Sequence, residues 1–390
     1  NNLPFRVHCP ASKSYTNRAL IAGALQEKPV RIFNPSNCDD SNLLINGLKE
    51  LGVRILKKGG ALTVSGCLKE AQNSPLRPVY LGEGGTTIRF FTVMAATLSF
   101  PVKIEVHPRF LRRPFQELRG YLLKAGASLE INKNIITVQG PLKRGVALEI
   151  DCSESTQFAS AFELISESVG ASVKAVNVRA SADYLKMTAH VLKKVKEDGD
   201  FYAPPDFSSL SYFTVYACLT QELLVENIKA LDPLQADSKV LEIIKELGGD
   251  WEIGEQGLTV FPAKNFNSVE IDGSQCLDAI PSLLFLLAYS KVPQKIKNIK
   301  NLRRKESDRL DEMTKMLKAF NISFEYDQEH DVISVKGPLP AGGPPKRLVT
   351  AFDHRMVMTG TLFLKINGGG EISPAEAVEK SFPEFFEVFK

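Results

Sequence analysis

The chain has 390 residues, 44% hydrophobic and 24% charged, with 48 Lys and Arg against 45 Asp and Glu for a net charge of +3. That length suffices for two hydrophobic cores, and the balance of residue types excludes a disordered or fibrous chain. The mild charge is spread along the sequence without a basic tail, which argues against a nucleic-acid surface and for local anionic pockets.

Six cysteines (Cys9, Cys38, Cys67, Cys152, Cys218 and Cys276) stand singly, with none of the paired spacing that zinc or redox sites use. They read as free thiols of a cytoplasmic protein. Residues 1–7 lack a basic region followed by an apolar core, and the longest apolar run, residues 279–289, is too short for a bilayer. Neither export nor membrane insertion is expected. The five histidines are scattered and suggest no metal site.

Two patterns alternate along the chain. The first is an almost wholly apolar helix introduced by small polar or charged residues, as at Ser12 (SKSYTNRALIAGAL). The second is an amphipathic helix closed by Gly or Asn and followed by two strands around a polar turn, as at Leu48 (LKELGVRILKKGGALTVSG). TTIRFFTVMAATL at Thr86, LLKAGASLEINKNIITVQG at Leu122 and STQFASAFELI at Ser155 continue the series. After the Ala203-Pro204-Pro205 break come SSLSYFTVYACL at Ser208, IIKELGGDWEIGEQGLTVFP at Ile243, DAIPSLLFLLA at Asp278, LKAFNISFEYDQEHDVISVKG at Leu317 and DHRMVMTGTLFLKI at Asp353. This predicts six similar α/β units, three per domain, with crossovers near Pro205 and Pro10. Helix N-termini carry unpaired N–H groups and partial positive charge, so several of them together make an anion site without a metal.

Chemistry concentrates in PASKSYTNRAL (residues 10–20), RRKESDRL (303–310), DHRM (353–356) and KSFPEFFE (380–387), with LGEGGTTIR (81–89) and STQF (155–158) beside them. In this order along nearly the whole chain, the segments resemble the motifs of the EPSP synthases, of the enolpyruvyl transferase family. The resemblance implies a mixed α/β fold of two similar domains, each of three βαβαββ units with helices inside and sheets outside, an inside-out α/β barrel. Residues 1–11 with 204–390 would form one domain and 12–203 the other, the active site lying in the cleft between them and closing on its substrates.

The implied activity moves an enolpyruvyl group from phosphoenolpyruvate to the 5-hydroxyl of shikimate 3-phosphate, with no cofactor and in a monomer. Each substrate brings a carboxylate and a phosphate, so cations are required, and Lys13, Arg18, Arg89, Arg113, Lys305, Arg309, Arg355 and Lys380 supply them. By resemblance, shikimate 3-phosphate meets Lys13, Ser14, Arg18, Ser155, Thr156, Gln157, Ser181, Tyr184, Asp278, Asn301 and Lys305. Phosphoenolpyruvate meets Lys13, Gly85, Thr86, Arg113, Gln157, Arg309, Arg355 and Lys380. Asp278 is the candidate base for the hydroxyl and Glu306 the candidate for protonating and deprotonating C3, with Lys13 sharing proton transfer. Read alone, Asp278 is equally a helix cap and Glu306 an i, i+3 partner of Arg309. The resemblance further implies sensitivity to glyphosate, because tolerant relatives carry Ala where this chain has Gly85.

The chain departs from the family pattern at Glu83, Gly84, Thr87, Phe90 and Thr156. Glu83, where Asn is common, brings a carboxylate to an anion site unless an arginine pairs with it. Phe90 replaces a usual Pro, a change able to shift its helix. One rival is the UDP-N-acetylglucosamine enolpyruvyl transferase, whose mobile-loop cysteine has no counterpart in residues 108–116. Another is a noncatalytic anion-binding or RNA-binding protein, which would interleave aromatics with basic residues, whereas the aromatics here lie mostly in apolar helices.

Overall fold

The computed structural model describes residues 5–66, 68, 71–179 and 181–389; Cys67 lies outside them. The chain divides into two compact units, Ala11–Pro204 and Asn1–Pro10 with Pro205–Lys390.

In the unit Ala11–Pro204, the helices Lys13–Ala24, Gly85–Ala95 and Gln157–Val169 pack on one another. Almost every residue of Lys13–Ala24 and Gly85–Ala95 is buried, as expected of helices apolar on all sides. Three sheets lie against them. The first runs Asp200–Tyr202, Val30–Phe33, Ala61–Ser65, Arg54–Lys58, and the second Val79–Tyr80, Val102–Glu105, Ile135–Gln139, Ser128–Asn132. In each, a parallel pair continues into an antiparallel hairpin. Leu62 and Val64 of Ala61–Ser65 turn inward while their neighbours do not, the period of two of a sheet covered on one face.

The other unit repeats this plan. Helices Phe207–Leu219, Ile280–Leu287 and His354–Ile366 pack together. Its four-stranded sheets are Phe5–Val7, Leu223–Val225, Gly257–Phe261, Asp250–Gly254 and Glu270–Asp272, Gln294–Lys297, Val332–Lys336, Ser323–Asp327. The four amphipathic helices end where the pattern places them: Gly52, Gly126, Gly248 and Asn321 adopt φ of +93°, +88°, +95° and +56° just after their C-caps. Gly and Asn occupy this left-handed position at least cost.

The third sheet of each unit is only a parallel pair, Ala147–Asp151 with Ser172–Val176 and Lys346–Val349 with Gly370–Ser373. The expected third βαβαββ repeat therefore lacks a hairpin of its own: in the unit Ala11–Pro204 the helix Asp183–Asp198, closed by Gly199 at φ +67°, leads to the single strand Asp200–Tyr202. A strand distant in sequence instead completes the first sheet of each unit: Asp200–Tyr202 beside Val30–Phe33, and Phe5–Val7 beside Leu223–Val225.

Candidate active site

In the unit Ala11–Pro204, the candidate residues gather at the starts of the three buried helices. Ser12 caps the first by accepting from Tyr15 N at 3.3 Å, placing Lys13 on the opening turn. Lys13 Nζ meets Asp40 Oδ2 at 2.9 Å, and Asp40 is almost wholly buried. Gly84 and Gly85 begin the second helix, and the absence of a Cβ at each lets neighbouring side chains come close. A Cβ on Gly84 would stand 2.6 Å from Asp40 Oδ1, and one on Gly85 within 2.8–2.9 Å of Arg113 Nη2, Arg89 Nη1 and Gln157 Oε1. Arg89 Nη1 donates to Gln157 Oε1 at 2.6 Å, joining the second and third helices. Thr86 Oγ1 accepts from Asn17 Nδ2 at 2.9 Å.

Arg18 is wholly buried, between the rings of Phe90 and Tyr184 at 5.1 and 5.5 Å from their centroids. It donates to Thr188 Oγ1 at 2.8 Å, the Ser14 carbonyl at 3.1 Å and Ser160 Oγ at 3.4 Å. Burial pulls its guanidinium down to about 10, which still leaves it cationic at neutral pH. Ser155 Oγ accepts from Gln157 N at 3.2 Å, and Thr156 Oγ1 donates to the Ser181 carbonyl at 3.4 Å. Ser181 holds φ at +61°, a conformation unusual for a non-glycine residue, and its backbone lies against Thr156.

In the other unit, Arg309 is the centre of the cluster and is 1% exposed. Its Nη1 meets Asp278 Oδ1 at 2.9 Å, its Nη2 Glu306 Oε2 at 2.6 Å, and its Nε Asp353 Oδ2 at 2.8 Å. Asp353 also caps the helix His354–Ile366, accepting from Arg355 N at 3.0 Å, and takes a hydrogen bond from Ser307 Oγ at 2.8 Å. Around this core, Lys305 Nζ lies 3.3 Å from Asp278, Arg355 Nε 3.9 Å from Asp278, and Lys380 Nζ 3.7 Å from Glu306. Asn301 sits on the 3-10 turn Lys300–Arg304 leading to Lys305.

Asp278 makes no capping bond. It lies on the 3-10 turn Leu277–Ala279, one turn ahead of its helix, and its carboxylate faces the cations. Burial opposes its ionisation, yet Lys305, Arg355 and Arg309 outweigh that and hold it well below the usual carboxylate range. Burial likewise opposes the charge on Arg309, which Asp353, Glu306 and Asp278 overcome, raising it above its ordinary value. Arg355 Nε and Lys380 Nζ are nevertheless buried without a hydrogen-bond partner among the described residues. Buried cationic donors left unsaturated are what an anion site needs.

The family profile of EPSP synthase (3-phosphoshikimate 1-carboxyvinyltransferase) matches residues 1–389. The chain belongs to the EPSP synthase family. It is 30% identical to the 3-phosphoshikimate 1-carboxyvinyltransferase of Archaeoglobus fulgidus, over 98% of this chain and 94% of that protein. It is likewise 30% identical to that of Thermococcus kodakarensis, over 98% and 95%. Among solved structures, it resembles an EPSP synthase from Acinetobacter baumannii with a TM-score of 0.75 at 20% identity, covering 98% of this chain and 94% of that one. The enolpyruvyl transferase NikO from Streptomyces tendae follows with 0.70 at 13%, covering 100% and 94%.

Against the EPSP synthase pattern, the departures of this chain fall into place. Glu83 is paired: Arg109 Nε meets its Oε2 at 2.9 Å and Arg109 Nη2 its Oε1 at 3.3 Å, while its backbone carbonyl accepts from Arg113 Nη1 at 3.3 Å. Phe90 leaves the helix Gly85–Ala95 continuous and supplies a ring face for Arg18. Asp40 and Asp237 are site neighbours to which sequence reasoning assigned no role, and Asp353 is one it read as the head of an apolar helix. Asp353 had a signal, since an acidic residue directly before an apolar helix is a cap. Asp40 and Asp237 had none, because each acts on a residue remote in sequence.

Proposed function

We propose that this chain transfers the enolpyruvyl group of phosphoenolpyruvate to the 5-hydroxyl of shikimate 3-phosphate, releasing phosphate, a step of aromatic amino acid biosynthesis. The observation that carries this reading is the set of buried cationic side chains: wholly buried Arg18 in one unit, and in the other Arg355 Nε and Lys380 Nζ, buried donors without a hydrogen-bond partner among the described residues. We propose that both clusters serve the same two substrates. Ser155, Thr156 and Ser181 hold the shikimate phosphate, Arg18, Ser14, Gln157, Asn301 and Lys305 its remaining oxygens, and Tyr184 its ring. Lys13, Arg113, Arg309, Arg355 and Lys380 hold phosphoenolpyruvate, with Gly85, Thr86 and Gln157 alongside.

In this reading, the 5-hydroxyl adds to C2 of phosphoenolpyruvate as Asp278 takes its proton and C3 receives one from Glu306. Glu306 then removes a proton from C3 while phosphate leaves, and Lys13 shares the proton traffic. Fixed cations around the developing charge supply most of the acceleration. We place the chain in a reducing compartment as part of the proposal, on its five free, buried, described cysteines; no described helix is long and apolar enough to cross a membrane. The decisive test is phosphate release from phosphoenolpyruvate by the purified chain. Release that strictly requires shikimate 3-phosphate is expected. Release with UDP-N-acetylglucosamine instead, or none with either acceptor, rejects the reading.

A prediction attaches to Glu83. Its carboxylate lies near the proposed donor pocket but is shared with the half-exposed Arg109, so Glu83→Gln removes one negative charge at a stability cost of at most about 1 kcal/mol. The KM for phosphoenolpyruvate is expected to fall about two- to fivefold with kcat unchanged, since one repulsive charge at this range is worth under about 1 kcal/mol. Steady-state kinetics decides it. A raised KM would mean that the ion pair matters for placing Arg113 more than for its charge.

A further inference from the structure

Two side-chain bridges outside the motifs repeat one pattern in both units. The strand Ala147–Asp151 runs out into Asp151-Cys152-Ser153, and Glu270–Asp272 into Asp272-Gly273-Ser274. Asp151 accepts from Ser153 Oγ at 2.7 Å, and Asp272 from Ser274 Oγ at 2.7 Å. Each aspartate also accepts from an asparagine: Asn177 Nδ2 donates to Asp151 Oδ1 at 2.9 Å, and Asn298 Nδ2 to Asp272 Oδ1 at 2.9 Å. The spacing is 26 residues both times. The register is the same as well, since Asp151 pairs with Val176 and Asp272 with Lys297, each the residue before its asparagine. Both asparagines hold positive φ, +55° and +59°, a conformation that Asn reaches more readily than most residues.

A parallel ladder ties two chains only over their paired length, and beyond it both chains of each pair lead to candidate site residues. After Asp151 come Ser155 and Thr156 at the start of Gln157–Val169, and after Asn177 comes Ser181. After Asp272 comes Asp278 on its 3-10 turn, and after Asn298 come Asn301 and Lys305. The paired segments meet again farther along: Thr156 Oγ1 donates to the Ser181 carbonyl at 3.4 Å, and Lys305 Nζ lies 3.3 Å from Asp278 Oδ1. Each bridge thus closes the base of two loops whose tips carry the site. At Asp272 the loops are close-packed, for a Cβ on Gly273 would stand 2.5 Å from Ile299 Cγ2. The asparagine side is anchored too, with Asn298 N donating to the Asp331 carbonyl at 2.9 Å and Lys300 N to Asp331 Oδ2 at 3.0 Å. Both Asp–Asn bonds face solvent, where a hydrogen bond replaces one to water at small net gain, so the fold has little need of them. What such a bond fixes is where the loops sit.

We propose that Asn177 with Asp151, and Asn298 with Asp272, are positioning residues: two clasps that set the spacing of the loop pairs carrying the substrate contacts. The proposal rests on the functional reading above, which assigns the roles at the loop tips. The two clasps differ in what they hold. Asn177 with Asp151 serves Ser155, Thr156 and Ser181, the proposed seat of the shikimate phosphate, which takes no part in the bond changes, so its loss falls on binding. Asn298 with Asp272 serves Asp278, the proposed base, together with Lys305, so its loss falls on turnover.

The test uses Asn177→Gly and Asn298→Gly in the full chain. Glycine accepts positive φ without strain, so the change removes the amide and leaves the backbone path open. Steady-state kinetics and thermal unfolding are read together. Asn177→Gly is expected to raise KM for shikimate 3-phosphate about three- to tenfold with kcat near the parent value. Asn298→Gly is expected to lower kcat roughly tenfold. Both should unfold close to the parent's temperature. A rescue sharpens the first arm. Asn177→Asp sets two carboxylates against each other and should raise KM further than Asn177→Gly, whereas Asp151→Asn combined with Asn177→Asp restores one donor and one acceptor and should recover most of the parent KM.

Hydrogen exchange of the backbone amides adds a readout that needs no substrate. In Asn177→Gly, residues 152–156 are expected to exchange faster than in the parent while the strands Ala147–Asp151 and Ser172–Val176 keep their rates, and in Asn298→Gly the same holds for residues 273–279. Kinetics like the parent's in both variants, a kinetic loss that merely follows a lowered unfolding temperature, or an exchanged pair that recovers nothing, overturns the proposal. If the parent itself releases no phosphate, the functional reading fails and hydrogen exchange alone decides the clasps: unchanged rates at residues 152–156 and 273–279 would then reject them.

Discussion

Replacing Glu306 by Gln is expected to lower turnover by roughly a hundredfold or more, with a modest change in KM, and Asp278→Asn is expected to do the same. Both substitutions keep size and most hydrogen bonding while removing a titratable proton. The ion pairs sharpen what must be explained. With Lys305, Arg355 and Arg309 around it, Asp278 is held far below the usual carboxylate range, and a carboxylate so stabilised is a weak base. It becomes a competent one only when substrate anions draw those cations away. The same depression means that its contribution to stability is fully present above the unfolded carboxylate value of roughly 3.9 and is lost only in stronger acid. The acidic limb of kcat/KM between pH 5 and 8 should therefore not belong to Asp278. If Asp278 is instead only a counter-charge, Asp278→Asn should lower KM for the anionic donor and leave kcat near its parent value, so the split between kcat and KM separates the two roles. For Glu306 the corresponding alternative is its 2.6 Å contact with Arg309. Gln retains an acceptor there, so normal turnover in Glu306→Gln would reduce Glu306 to a partner of that arginine.

What the sequence revealed and what it hid follow from the range of the interactions. The six apolar helices and the four helix–hairpin repeats were legible because their signals are local, a stretch without polar positions or a glycine closing a period of 3.6. The two-stranded third sheets were not, because Ala147–Asp151 and Lys346–Val349 find their partners only across a buried helix. Motif residues such as Lys13, Lys305 and Arg309 stood out by resemblance alone. Two of their pairings did not: Asp40 lies 27 residues from Lys13 and Asp353 44 from Arg309, and nothing near either acid points to its cation. Glu83 shows the limit most plainly. Whether its carboxylate spoils an anion site depends on Arg109, 26 residues away and placed by the 3-10 turn Pro108–Arg112.

Gly85→Ala is expected to weaken phosphoenolpyruvate binding and to weaken glyphosate inhibition more. A methyl group on this residue would lie 2.8 Å from Arg113 Nη2 and 2.9 Å from both Arg89 Nη1 and Gln157 Oε1, closer than such contacts allow, so something must shift. The atoms it meets are the ends of side chains, not backbone, and the fold should survive with little loss. What shifts is the set of donors proposed for the donor carboxylate and phosphate. Arg89 is the least able to yield, because its Nη2 donates to the Pro114 carbonyl at 2.5 Å and its guanidinium lies 5.2 Å from the centre of the Phe158 ring. Arg113, whose bond to the Glu83 carbonyl is longer at 3.3 Å and whose guanidinium lies farther from its ring, 5.9 Å from the centre of Phe110, yields more readily. The displaced group is therefore an arginine of the proposed phosphoenolpyruvate pocket, and a loss of about 1.4 kcal/mol there raises KM tenfold. Glyphosate, as the longer ligand of the same proposed pocket, would meet the added methyl itself as well as the displaced arginine. Phe90 does not disturb this expectation, since the helix that Gly85 opens runs unbroken to Ala95. Inhibition measured against varied phosphoenolpyruvate in the parent and in Gly85→Ala decides the matter. Competitive inhibition whose constant rises more than the KM does would support the shared pocket, whereas a parent already as tolerant as Gly85→Ala would show that some other feature of this pocket excludes the inhibitor.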